Sequence, residues 1–120
     1  MYGPWQCADS WGWDPGHPVL AKPCYATGGG VRVIGHMQAV PGVQADVSVS
    51  VQDADTGAVA AGPYTCDGLM FTDFAPEHSC GPFDLNALAH GHRYAVVEQW
   101  QYTGRGVLPS GSARGPDFSW

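Results

Sequence analysis

Three tryptophans stand close together near the start of the chain, Trp5, Trp11 and Trp13, the last two separated only by Gly12. Flat indole faces take up the C–H surfaces of sugars and also take up cations, while Asp9 and Asp14 beside them offer acceptors for hydroxyl groups. Trp5, Trp11, Trp13 and Asp14 are therefore the candidate ligand-binding residues. A plainer use of the same residues is packing, because a segment without periodicity needs large side chains to pin it over a core.

Other constellations carry less chemistry. Asp53-Ala54-Asp55-Thr56-Gly57 begins like a calcium loop, with oxygens at alternate positions. A full loop needs an oxygen ligand where Gly57 stands and a glutamate where Tyr64 stands, so a hairpin turn is the expectation. His90-Gly91-His92 presents two imidazoles from one turn, with His78 or Asp84 as a conceivable third ligand, but residues flanking a tight turn usually face water. Glu98 shares the alternation of Tyr94, Val96, Trp100 and Tyr102; if that face is the core, its carboxylate is buried and needs a partner such as Arg32 or Arg93, unless a bulge resets the register. There is no Gly-x-Ser-x-Gly and no phosphate-cradling glycine loop, so no catalytic residue is assigned and no cofactor is called for.

The balance of residues narrows the partners. The formal net charge is −6 and the five Lys and Arg residues are scattered, Lys22 being the sole lysine. Nucleic acid needs clustered cations and an anionic membrane surface attracts them, so neither partner is expected. No apolar run approaches the roughly 20 residues of a membrane span. No leader is read in Met1-Tyr2-Gly3-Pro4-Trp5, so an exported form would be a mature or excised domain.

Cys7, Cys24, Cys66 and Cys80 allow three pairings. Cys7–Cys24 with Cys66–Cys80 closes two short loops and is the expected one. A zinc site, the competing reading, usually wants tight Cys-x-x-Cys spacing, which is absent. Disulfides imply an oxidising compartment, so the protein is expected to be secreted or extracytoplasmic.

At 120 residues the chain is read as a single domain, with 44% hydrophobic residues to build its core. Residues 1–30 read as a loop-rich, tryptophan-containing lead-in ending at Gly28-Gly29-Gly30, with one short strand at His17–Lys22. From Val31 a procession of strands is expected: 31–40, 45–52, 58–64, 68–74, 82–88, 92–103 and 117–120. The clearest is 45–52, where Val47, Val49 and Val51 alternate with Ser48, Ser50 and Gln52. Short strands with turn signals every eight to twelve residues predict an all-β, antiparallel sandwich of about 7–8 strands.

Leu85-Asn86-Ala87-Leu88-Ala89-His90-Gly91-His92-Arg93-Tyr94-Ala95-Val96 resembles the corner between two strands of immunoglobulin and fibronectin type III domains. That resemblance implies an immunoglobulin-like sandwich with Tyr94 bonded to backbone a few residues upstream. The immunoglobulin Cys…Trp…Cys arrangement is missing. Trp5-Gln6-Cys7, Gly62-Pro63-Tyr64-Thr65-Cys66 and Gly115-Pro116-Asp117-Phe118-Ser119-Trp120 resemble extracytoplasmic modules of actinobacterial secreted proteins and receptor kinases, which implies sensing or binding.

The expected function is a non-catalytic extracytoplasmic binding or sensing module, with cell-wall and other glycans, or a small molecule, as ligand. The alternative is a secreted domain that docks onto a protein, such as an inhibitor of an exported enzyme, through the Cys66–Cys80 loop centred on Leu69, Met70 and Phe71. A small enzyme with a site assembled from distant strands is the third reading.

Overall fold

The computed structural model describes residues 2–8, the backbone of residues 12 and 13, and residues 19–103 and 110–120. Its strands in chain order are β1 (Gln6–Cys7), β2 (Gly12–Trp13), β3 (Val19–Thr27), β4 (Val31–Ala39), β5 (Gln44–Asp53), β6 (Val59–Met70), β7 (Glu77–Leu85), β8 (Arg93–Tyr102), β9 (Gly111–Arg114) and β10 (Phe118–Ser119). They form two antiparallel sheets. One runs β1–β3–β4–β7 with β2 also on β3; the other runs β10–β8–β5–β6 with β9 also on β8.

The core follows from alternation. Val31, Val33 and Met37 of β4 face Ala45, Val47, Val49 and Val51 of β5, and the β8 row of Tyr94, Val96 and Trp100 continues the same layer. β-Branched valines are stiff and suit a pleated surface, and each one fully buried stabilises by roughly 1.5–3 kcal/mol. Phe71, Leu85, Leu88 and Phe118 complete this core.

Two edge strands lie on one side of the sandwich, β6 in one sheet and β7 in the other, and the Cys66–Cys80 disulfide joins them. The register slips at several points along β6, and at Gly81-Pro82 on β7. Prolines and bulges along an edge block pairing with another chain. The second disulfide, Cys7–Cys24, links directly opposed residues of β1 and β3. Both expected pairings are thus present.

The tyrosine corner is also present: the Tyr94 hydroxyl donates to the Ala89 carbonyl at 2.5 Å. Three expectations need correction. The lead-in contains the long strand β3, a full member of its sheet, because Val19, Ala21, Cys24 and Ala26 are buried at intervals that period-two reading across Pro23 obscures. Gly28-Gly29-Gly30 is the hydrogen-bonded turn of the β3–β4 hairpin, Gly28 N–H donating to Gly30 O at 3.0 Å. Residues 58–64 and 68–74 are not two strands: β6 continues through Gly68, whose positive φ of 68° accommodates a bulge, and ends at Met70. The short strand β9 was not expected.

Replacing Tyr94 with Phe deletes one buried hydrogen bond and leaves the Ala89 carbonyl without it. Urea denaturation of Tyr94→Phe is expected to show a loss of about 1 kcal/mol. An unchanged midpoint would mean that the corner carries no stability.

Candidate functional site

Of the tryptophan set, Trp5 is 40% exposed and immediately precedes β1. Trp11 and Asp14 lie outside the described residues, and of Trp13 only the backbone is described, paired with Leu20. Gln6 pairs with Tyr25, so Trp5 stands near Ala26 and Trp13 opposite Leu20. Six residues of β3 separate these positions, about 20 Å at the rise of a strand. Trp5 and Trp13 therefore sit at separate stations along one sheet edge, reachable together only by an extended ligand.

The histidine constellation is dispersed. His90 stacks on Trp120 with ring centroids 4.8 Å apart, His92 Nδ1 lies 3.2 Å from Asp53 Oδ2, and His78 Nε2 lies 2.6 Å from the Met70 carbonyl. Asp84 is held by Arg32 at 2.6 Å. Among the described residues no group of three or more His, Cys, Asp or Glu is placed to hold a metal ion. Asp53 caps its turn: Oδ1 accepts from the amides of Asp55 and Thr56 at 2.9 and 3.0 Å. Those amides, the Thr56 one foremost, hold its carboxyl below the usual aspartate range. The segment is a hairpin turn.

Glu98 does face the core, and neither expected partner reaches it. Arg32 pairs with Asp84, and Arg93 with Asp55 at 2.7 Å. Glu98 is fully buried, and neither carboxyl oxygen has a hydrogen-bond partner among the described residues. Burial alone pushes its pKa up to about 8.

The docking element also changes. Phe71 is fully buried in the core, Leu69 is half-buried and Met70 is exposed. The projecting side chain is instead Phe74, wholly exposed on a tight turn in which Thr72 N–H donates to Ala75 O at 3.1 Å and Ala75 N–H donates back at 3.2 Å.

One recess was not singled out from the sequence. A groove of about 330 Å³ crosses the outer face of the second sheet, lined among others by Asp46, Ser48, Thr65, Asp67, Gln99 and Gln101. These residues alternate with the buried valines of β5 and with Glu98 and Trp100 of β8, which is why they point outward. Register brings them into rows. Ser112, Gln99, Ser48 and Thr65 are successive partners across β9, β8, β5 and β6, and Gln101 lies opposite Asp46 in the next row. Asp46 is fixed because its Oδ1 accepts the Gly68 amide at 2.8 Å, across the bulge of β6. No lysine or arginine lines the groove among the described residues.

Topology sets this groove at the end of the sandwich where β3 begins. β3 begins at Val19 opposite Ala39, the end of β4, and the chain then crosses to Gln44 at the start of β5. Ala45 pairs with Tyr102, the last residue of β8. The start of β3, with β2 beside it, and the groove thus share one end of the sandwich. Comparison with protein-family models, with curated proteins and with solved structures finds no match to this chain.

Asp46 and Asp67 have separable roles here. Asp46→Ala is expected to lower stability by about 1 kcal/mol through the lost Gly68 hydrogen bond. The exposed Asp67→Asn is expected to stay within about 0.5 kcal/mol of the wild type. Urea midpoints of the two variants decide it; equal losses would contradict the bracing role of Asp46.

Proposed function

We propose that this chain is a non-catalytic binding module of an extracytoplasmic compartment, secreted or displayed there, and that its ligand is a glycan. The observation that carries the reading is the groove of side-chain amides, hydroxyls and carboxylates across β9, β8, β5 and β6. Such groups pair with vicinal hydroxyls as donor and acceptor together. Four strands span about 14 Å at the usual spacing, a length suited to an extended chain rather than a single small ligand. Two carboxylates with no lysine or arginine beside them among the described residues repel polyanions, so a neutral or amine-bearing polysaccharide fits better than an acidic one.

Trp5, Trp11 and Trp13 are the indoles proposed to add stacking to the contact. The Trp13 backbone pairs with Leu20 at the start of β3, and exposed Trp5 lies further along the same sheet edge. The two-sheet order and the Tyr94 corner support an immunoglobulin or fibronectin type III-like kinship, in keeping with the resemblance to actinobacterial extracytoplasmic modules. Two disulfides support the oxidising location.

A second reading rests on Phe74. A wholly exposed phenylalanine on a hydrogen-bonded turn, with exposed Met70 at the end of β6 and exposed Val40 just after β4, suits insertion into an apolar pocket of a protein partner.

Retention on insoluble cell-wall and polysaccharide preparations tests the first reading. The wild-type chain is expected to be retained on a neutral or amine-bearing matrix. Trp11→Ala/Trp13→Ala and Asp67→Asn/Gln101→Ala, each still folded, are expected to bind at least tenfold more weakly, about 1.4 kcal/mol. No retention on any matrix contradicts the glycan reading and leaves the Phe74 reading in its place.

A further inference from the structure

Glu98 has no role in the groove, and its place in the core needs its own account. It projects from β8 between the two sheets and meets Gly35 of β4. A Cβ built on Gly35 would lie 2.8 Å from Glu98 Cδ, 2.9 Å from its Oε1 and 2.9 Å from Val49 Cγ2. The carboxyl therefore occupies the space that any other residue at position 35 would fill. Real Cβ atoms do not approach this closely, so the carboxyl and the absent side chain are mutually exclusive. A buried carboxyl with no hydrogen-bond partner among the described residues is tolerable only when neutral, because an ion there loses its hydration.

Among the described residues no hydrogen bond relieves it, and desolvation is what raises its pKa. On β4, Arg32 and His36 flank Gly35 but engage Asp84 and Ser79 on the outer face. On β5 the cross-strand partner is Val49, and on β9 it is Ala113, whose neighbour Arg114 binds Asp117. Along β8 the inward row holds Tyr94 and Tyr102, both neutral and both pushed further up by burial. On β7 the inward Cys80 is tied up in its disulfide.

We infer that Glu98 and Gly35 form an acid latch between the sheets: the neutral carboxyl closes the sandwich at Gly35, and loss of its proton opens it there. The sign follows from the two states. Unfolded, Glu98 titrates near its ordinary 4.5; folded, it holds its proton to about 8. The latch's stability is fully present below the unfolded value, is lost as pH rises towards the folded value, and changes no further above it. Asp53, Asp84 and Asp117 are shifted down by their partners, so their contribution fades only in more acidic solution. Between pH 5 and 8.5 the difference between the wild type and Glu98→Gln isolates the contribution of Glu98. Because β8 carries Gln99 and Gln101 on its other face, opening at Gly35 also disturbs the groove; that consequence rests on the binding reading, whereas the latch does not.

The test is urea denaturation of the disulfide-intact chain between pH 5 and 8.5, compared with Glu98→Gln. The wild-type unfolding constant is expected to rise on the order of a thousandfold across this range, and that of the variant to rise far less. Parallel profiles, or a flat wild-type profile, would overturn the latch. Should Glu98→Gln fail to fold, the carbon resonance of the Glu98 carboxyl in the labelled wild type answers instead: a midpoint above pH 7 supports the latch and any lower midpoint overturns it. Polysaccharide retention at pH 5 is a separate readout, so loss of binding with an intact stability profile counts against the glycan and not the latch.

Discussion

The structure depends on the seam where β4 of one sheet meets β5 and β8 of the other. Valines from both sides fill it, and apolar burial there is what holds two otherwise independent sheets together. One position in that seam is not apolar. Glu98 stands in a row of Tyr94, Val96 and Trp100, and Gly35 opposite makes room for it. A hydrophobic residue at 98 and a small one at 35 would fill the same space without the desolvation of a carboxyl, so the pair costs stability at neutral pH. That cost is the reason for regarding it as a device and not as packing.

The sides of the sandwich are closed by different means. On one side the disulfide between β6 and β7 fastens the two edge strands across the sheets, and bulges and prolines keep those edges from pairing with other chains. On the other, β9 and β10 both pair with β8, and β1 and β2 both pair with β3, so short strands share a long one. The outer face of the second sheet carries the groove. Among the described residues its lining is polar and mostly uncharged, a composition that suits recognition of hydroxyl groups.

Much of the fold was legible in the sequence, because alternation is a direct consequence of the pleat. Val47, Val49 and Val51 against Ser48 and Ser50 announced β5, and Leu85 to Val96 announced the corner at Tyr94. The cysteine pairing followed from short loop closure. β3 was harder to see, since Lys22 and Pro23 interrupt its pattern while Cys24 and Ala26 carry its burial. The extent of β6 was hidden by Gly62, Pro63 and Gly68, which read as strand breaks and act as bulges within one edge strand.

The candidate site was legible only in part. Ser48, Gln99 and Gln101 were identifiable as outward residues, but register across four strands is a non-local property that one sequence does not display. Glu98 was recognised as anomalous, whereas its answer, a glycine in another sheet, is equally non-local. The claim on which the functional account turns is that the outer face of the second sheet takes a sugar chain. Amide resonances of the labelled protein, followed during titration with soluble neutral oligosaccharides, test it most directly. The account predicts the largest shifts at Asp46, Ser48, Thr65, Asp67, Gln99 and Gln101. Shifts confined to the turn at Thr72–Ala75, or no shifts at saturating sugar, would contradict it.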